Sequence, residues 1–259
     1  MFNFINIKKM QKMKSSLIED WNSKKPFKYL CFDDFFNLSK AEEILLKYPS
    51  IDSGAWDRTT YINQKNKFQK TRFEYGDIFD LVFKELNHPD FTSLLSSVTG
   101  IDNLIADPKL FGGGLHQSTK GAFLDIHVDY NFHPETKFHR VLNLLVYMNK
   151  DWKVDFEGHL ELWDMKEKKR LEKISPSFNR VVIFETNEVS FHGHPVPLNT
   201  PNGITRKSLA TYYYSKARAK DEITLEHNTK YVNIHGYKGA VKNVISGLKA
   251  SLERLKIIK

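Results

Sequence analysis

The sequence predicts an all-β core with helices packed on it, an α+β fold, and three observations predict it. The second half of the chain contains apolar runs rich in β-branched and aromatic residues, namely RVLNLLVY at 140–147, RVVIF at 180–184 and RKSLATYYY at 206–214. Turn-forming residues separate these runs, as expected for strands. Apolar residues at helical spacing occur before and after this region, which predicts supporting helices.

The N-terminal part is interpreted as support for this core. Residues 1–25 are rich in lysine and predict a helical or loose arm, and residues 27–36 predict an edge strand followed by a turn. The spacing of Ser39 and Glu42 predicts a capping box for a helix that ends before Pro49. Two more helices are expected, at 77–86 and 90–97.

The 259 residues contain no internal repeat and no low-complexity linker, so one domain is expected. Its parts are an arm, support helices with a lid, a β core and a C-terminal helical extension, at 1–25, 26–109, 110–216 and 217–259. Near the C-terminus an apolar stripe at helical spacing predicts an amphipathic helix that packs on the core or contacts a second copy. The stripe comprises Val241, Val244, Ile245, Leu248, Leu252 and Leu255.

A triplet at the end of an apolar run carries the strongest chemical signal. His127 and Asp129 flank Val128, and residues two apart in a strand face the same side, so both can reach one metal ion. His192 and then Arg206 follow along the chain. This is the order of a 2-His-1-carboxylate ferrous site followed by a cation for a keto acid. Asp125 and His194 are alternative ligands, because each lies two residues from a candidate.

From about residue 110 to 214 the chain resembles the prolyl-4-hydroxylase-like 2-oxoglutarate/Fe(II) dioxygenases. The motifs that carry the resemblance are HVD at 127–129, YMNKDW at 147–152, GHLELW at 158–163, FHGHP at 191–195 and RKSLATYY at 206–213. The resemblance implies a double-stranded β-helix, or jelly roll. It also implies Fe(II), with 2-oxoglutarate and O2 as co-substrates and ascorbate as an additional cofactor.

Transferred residue by residue, the resemblance implies that the iron ligands are His127, Asp129 and His192. The last of these is preferred to His194 because it directly follows the aromatic residue at 191. Arg206 and Tyr147 are then expected to bind the distal carboxylate of 2-oxoglutarate. The same slot is expected to include the apolar wall residue Leu160 and, on the face of Arg206, Ser208.

The charge, cysteine content and hydropathy of the chain limit which partners and which cellular compartment are expected. The formal net charge of +8 is compatible with a nucleic acid or an acidic partner, but no basic and aromatic recognition motif accompanies it, so nucleic acid is not expected. The only cysteine, Cys31, excludes an intrachain disulfide and fits a reducing compartment. We found no signal peptide and no long apolar segment, so a cytoplasmic protein without membrane contact is expected.

The sequence therefore predicts a hydroxylase of a prolyl residue or of a proline-like or other small substrate, which makes a peptide or a small molecule the expected partner. Residues 51–76 are expected to form a lid. The candidate substrate contacts are Arg58, Arg72, His116, Gln117 and His133. Halogenation needs an empty iron position, which Asp129 argues against. The alternative from another class is a non-catalytic jelly-roll binding module with a basic face.

Overall fold

The computed structural model describes residues 2–61, 63–232 and 234. Its helices are α1 (Ile7–Lys12), α2 (Lys14–Ser23), α3 (Leu38–Leu46), α4 (Ile78–Leu86) and α5 (Pro89–Thr99). Buried side chains of α1 and α2, among them Met10, Leu17 and Trp21, join the apolar core between the helices and the sheet. The N-terminal arm is thus helical and packed.

The ends of the helices follow local capping chemistry. The Asp77 carboxylate accepts a hydrogen bond from the backbone N–H of Phe79 and caps α4 (2.7 Å). The capping box expected at Ser39 is wrong, because α3 begins after Asn37 and Ser39 already lies inside the helix. Glu42 pairs with Lys150 instead (2.9 Å), so its carboxylate holds the helix to the β core.

The strands come next. They are β1 (Tyr29–Phe32), β2 (Asp57–Tyr61), β3 (Gln64–Lys70), β4 (Ile105–Ala106), β5 (Gly114–Val128), β6 (His139–Tyr147), β7 (Leu160–Asp164), β8 (Lys169–Ile174), β9 (Arg180–Glu185), β10 (Phe191–His194), β11 (Arg206–Ser215) and β12 (Lys230–Tyr231). The neighbour order is β1-β9-β6-β11-β5-β10-β7-β8, and the paired strands are antiparallel.

One long strand, β5, organises the curvature. Its N-terminal half pairs with β11 and its C-terminal half with β10 and β12, whereas β3 pairs with parts of both halves. Since one strand belongs to both halves, the strands close into a half-barrel. This is the jelly roll expected from the sequence, and a second apolar cluster that includes Tyr147, Leu160 and Phe184 lies inside it.

Three details differ from the sequence prediction or lie outside it. Strand β8 was not predicted, because its sequence KRLEKI is mostly charged. His159 and Glu161 alternate with the apolar Leu160 and Leu162 but are buried as well, and Arg170 of β8 pairs with Glu161 (3.1 Å). The predicted C-terminal amphipathic helix lies outside the described residues. Within the described part of the chain, every helix is too short or too polar to span a lipid bilayer.

Candidate active site

A β-bulge in β5 decides which residues face the interior of the roll. His192 pairs with His127, but His194 pairs with Leu124, so β5 has one more residue than β10 between these two pairs. Leu124, His127 and Asp129 therefore line the same cavity. Asp125 was expected on this face but accepts a hydrogen bond from Asn63 instead (3.0 Å).

The close approach of the two strands at the bulge requires a glycine. A Cβ on Gly193 would lie 2.7 Å from the Asp125 carbonyl oxygen and 2.8 Å from that of Leu124. These are backbone atoms, which have little room to move. Gly193 thus brings the ligand candidates of β10 next to those of β5.

His127, Asp129 and His192 converge at this point. Each offers a ligand atom, and these atoms all lie within 4.8 Å of one another. The Nε2 atom of His127 lies 3.6 Å from Asp129 Oδ1, and that of His192 lies 3.4 Å from Asp129 Oδ2. His194 lines the same cavity but does not belong to this cluster.

Both imidazole rings are oriented by backbone carbonyls. Nδ1 of His127 lies 2.7 Å from the Asp125 carbonyl oxygen, and Nδ1 of His192 lies 2.9 Å from that of Ser190. A carbonyl can only accept, so each Nδ1 carries the proton and each Nε2 presents a lone pair to the cluster. Burial lowers the pKa of His192 to about 4, which keeps that ring neutral.

Asp129 is held ionised by a buried network. Its Oδ2 accepts hydrogen bonds from Asn143 Nδ2 (2.7 Å) and from the Arg140 guanidinium (3.0 Å). Arg140 is 1% exposed and is held between the rings of Tyr130 and Tyr212, whose centroids lie 4.4 and 3.5 Å from its Cζ. Burial alone would raise the pKa of Asp129, but the positive charge of Arg140 outweighs burial and holds it well below the usual range.

A second cationic group lies deeper in the roll. Arg206 on β11 is buried, and its Nε donates to the Gly158 carbonyl (2.7 Å) while one terminal nitrogen donates to the Tyr147 hydroxyl (3.2 Å). No carboxylate of the described residues lies within 4.0 Å of this guanidinium. Leu160 and Ser208, both predicted for this slot, line the cavity beside it. The arrangement is a preoriented cation that lacks an anion.

The two sites open into one cavity of about 260 Å³. Of the predicted substrate contacts, His116 lines it, whereas Gln117 bonds to Thr205 (2.6 Å) and His133 lies beside Asp107 (3.5 Å), both away from it. Burial, reinforced by the charge of Lys67, lowers the pKa of His116 well below its ordinary value.

The segment expected to form a lid contains the hairpin of β2 and β3, but its predicted arginines do not reach the cavity. Arg58 stacks on Phe68 at the surface (5.5 Å), and Arg72 is exposed. The hairpin residues that line the cavity are Gln64, Lys67 and Gln69. They were missed because Asn66, at φ 51, interrupts the alternation of the strand.

A second missed contribution comes from β12, in the segment expected to be a C-terminal helical extension. Lys230 and Tyr231 pair with Val128 and His127. The Tyr231 ring lies 5.4 Å from that of His127 and lines the cavity. Only long-range pairing brings this segment here, so no local pattern could have revealed it.

Comparison with known proteins gives a family match. Residues 113–214 match the family model described as the 2OG-Fe(II) oxygenase superfamily. This span contains the bulged strand, the three clustered ligand candidates and Arg206. A search of curated protein sequences found no match.

Solved structures agree at the level of the fold. A prolyl hydroxylase from Trichoplax adhaerens, in complex with a hypoxia inducible factor oxygen degradation domain peptide fragment, is 17% identical over 80% of this chain and 91% of that chain, with a TM-score of 0.59. A Pseudomonas putida prolyl-4-hydroxylase is 14% identical over 78% and 98% (TM-score 0.55). A prolyl 4-hydroxylase structure from Phytophthora capsici is 16% identical over 94% and 76% (TM-score 0.60).

Proposed function

We propose that this enzyme, in which residues 113–214 match the 2OG-Fe(II) oxygenase superfamily, hydroxylates a prolyl residue or a proline-like or other small substrate. In this proposal His127, Asp129 and His192 bind the iron, and Arg206 with Tyr147 binds 2-oxoglutarate. The observation that carries it is the convergence of two imidazole Nε2 atoms and one carboxylate in the cavity that also contains Arg206.

The donor set fits ferrous iron. Two neutral imidazoles and one carboxylate form the facial arrangement typical of non-haem Fe(II) oxygenases, which leaves further metal positions for other ligands. The Nδ1 bonds of His127 and His192 fix the tautomer that ligation requires. Asn143 and Arg140 hold the third ligand, Asp129, ionised and oriented.

The inner end of the cavity fits a dicarboxylic keto acid. A buried guanidinium is costly unless an anion accompanies it, and the distal carboxylate of 2-oxoglutarate supplies that anion. Arg206 presents its fork with Tyr147 already in place, so the carboxylate meets donors that need no rearrangement. Leu160 and Leu145 provide the apolar wall for the methylene carbons.

Bound Fe(II), with 2-oxoglutarate and O2, supplies the oxidation, which converts the keto acid to succinate and CO2 and inserts one oxygen atom into a C–H bond. The chain itself orients the reactants and excludes water. Phe184 packs on the His192 ring (4.6 Å), and Tyr231 covers that of His127. Asp129 stays ionised because Arg140 compensates its charge. Such a dry, preoriented site favours the coupled reaction over side reactions.

The substrate class is proposed from the resemblance and the similar folds, three of which are prolyl hydroxylases that share less than a fifth of their residues with this chain. Ascorbate as the reductant that maintains ferrous iron, and a cytoplasmic location, belong to the same proposal, since the exposed thiol of Cys31 and ferrous iron both favour a reducing compartment. The non-catalytic alternative is set aside, because the family match identifies an enzyme.

Succinate release tests the proposal. Purified protein with Fe(II), ascorbate and O2 should convert 2-oxoglutarate to succinate, and prolyl peptides or free amino acids in a screen should increase the rate. Asp129→Ala should abolish the conversion, whereas Asp125→Asn should retain it because the bulge turns Asp125 away from the site. Equal loss in both variants, or no binding of 2-oxoglutarate by the wild-type protein, would contradict the assignment.

A further inference from the structure

A third cation in the cavity remains without a role in the proposed chemistry. Lys67 on β3 lines the same space as His127, Asp129 and Arg206. In the described part of the chain, no carboxylate oxygen lies within 4.0 Å of its Nζ, and its ammonium makes no hydrogen bond. The nearby cation Arg140, by contrast, pairs with Asp129 at 3.0 Å.

The backbone is built to place Lys67 there. Lys67 pairs with Ser118 of β5, but Lys65 pairs with Phe123, so the register shifts strongly between them. Asn66 takes a left-handed conformation at this shift, and its side-chain amide donates to the Lys120 carbonyl (3.1 Å). The result is that Lys65 is exposed while Lys67 faces the interior of the roll.

The charges of the cavity leave Lys67 unbalanced. Under the proposed function, the distal carboxylate of 2-oxoglutarate pairs with Arg206. The charge of the iron is balanced by Asp129 and by the other carboxylate of the keto acid. Arg140 pairs with the same Asp129 carboxylate. Among the described residues Lys67 has no such counterpart, and a cation that is partly removed from water in a cavity wall is stabilised by an anion.

Lys67 is half-buried in the wall of the cavity. Burial lowers the pKa of Lys67 to about 8, Asp129 opposes this shift, and Arg206 and Arg140 reinforce it. The space for a substrate is also limited, because Thr229 and Tyr231 line the cavity and β12 pairs with the C-terminal end of β5. A small anionic molecule fits the need for a negative charge at Lys67 and the limited space better than a peptide chain that passes through the cavity.

We infer that the substrate of this enzyme is a small molecule with a carboxylate, as in a free amino or imino acid, and that Lys67 binds this carboxylate. The inference rests on the proposed function and narrows it. An internal prolyl residue of a peptide has no such group. Lys67 is accordingly a specificity-determining residue that selects free acids over amides and internal residues.

The test compares matched pairs of ligands. Protein loaded with Mn(II) and 2-oxoglutarate, which binds without turnover, is titrated with free amino and imino acids and with the amide of each, and the thermal shift gives the affinities. We expect at least one free acid to bind about tenfold or more tightly than its amide, which corresponds to about 1.4 kcal/mol. A peptide with an internal proline is expected to behave like the amides.

Three variants assign the preference to Lys67. Lys67→Met should abolish the difference between acid and amide, Lys67→Arg should keep part of it, and the control Lys65→Met on the exposed face of the hairpin should match the wild-type protein. The affinity for 2-oxoglutarate should change by less than about threefold in all three, because Arg206 holds that ligand.

Each other outcome overturns the inference. If no free acid binds the wild-type protein better than its amide, or if Lys67→Met retains the preference, Lys67 does not bind a substrate carboxylate. If Lys67→Met weakens 2-oxoglutarate tenfold, the lysine serves the keto acid. If the wild-type protein does not bind 2-oxoglutarate at all, the proposed function itself is wrong. This outcome differs from those that contradict only the role of Lys67.

Discussion

Replacing Arg206 by lysine keeps the positive charge at the inner end of the cavity but removes the planar fork. In the structure the fork is fixed by two bonds, from Nε to the Gly158 carbonyl and from a terminal nitrogen to the Tyr147 hydroxyl. A lysine ammonium can satisfy the Gly158 carbonyl or reach the carboxylate, but it cannot present two parallel donors.

The magnitude follows from the lost hydrogen bond. A hydrogen bond to a charged group contributes about 1.5 to 3 kcal/mol, and every 1.4 kcal/mol is a factor of ten in affinity. Arg206→Lys should therefore raise the Kd for 2-oxoglutarate about 10- to 150-fold. Metal affinity should stay unchanged, because none of the clustered ligands bonds to Arg206.

Calorimetric titration of 2-oxoglutarate into Mn(II)-loaded protein measures this change directly. Arg180→Lys is a matched control, since Arg180 also presents a fork, to Asp33 at 2.7 and 3.0 Å, but on the surface. A Kd for Arg206→Lys within about threefold of wild type would refute the Arg206 assignment. An equal weakening in Arg180→Lys would indicate a general effect on folding and not a lost ligand contact.

Three further predictions concern the metal ligand, the bulge and the segment before β12. Asn143→Leu should weaken Mn(II) binding about 10- to 100-fold in chelator competition, because Asp129 loses its 2.7 Å bond; an unchanged affinity contradicts this. Gly193→Ala should lower the free energy of unfolding in urea by about 1 to 3 kcal/mol, and unchanged stability would show that the strands can separate. Burial would raise the pKa of Glu188, but bonds from Lys230, His227 and Thr224 lower it to about 2. A carboxylate whose pKa is lowered by folding stabilises the fold at pH values above its pKa in the unfolded chain, which is about 4.3 for Glu. The difference in unfolding free energy between wild type and Glu188→Gln should therefore vanish as pH falls from about 4.5 towards about 2. A difference that does not depend on pH would refute this.

The ligand candidates could be predicted because their signals are local. His127 and Asp129 lie two apart in a strand, so the period of the strand alone places both on one side. The same alternation predicts that Arg206 and Ser208 of β11 lie on one face, and both residues line the cavity. Strands could be predicted where the sequence contains apolar runs. Strand β8 lacks such a run, so it was not predicted.

The residues that sequence reasoning misplaced depend on irregular backbone. Asp125 was expected beside His127, but the bulge after Leu124 turns it away. Arg58 and Arg72 were expected at the cavity, yet the left-handed Asn66 turns Lys67 inward instead. A bulge or a positive φ at a non-glycine residue depends on the pairing partner, so alternation along one strand cannot reveal it.

The bulged strand also explains how one cavity can hold two chemically different sites. In its C-terminal half, β5 carries His127 opposite His192, and in its N-terminal half Ser118 lies opposite both Arg206 and Lys67. The distance between the candidate metal ligands and the two cations is therefore set along a single strand with which their strands pair, and bending that strand changes both sites together. A catalytic constellation needs such rigid support, because small misplacements of a bound reactant reduce rates strongly. The irregular part of β5, which the sequence did not predict, is thus the part that brings the predicted residues into one site.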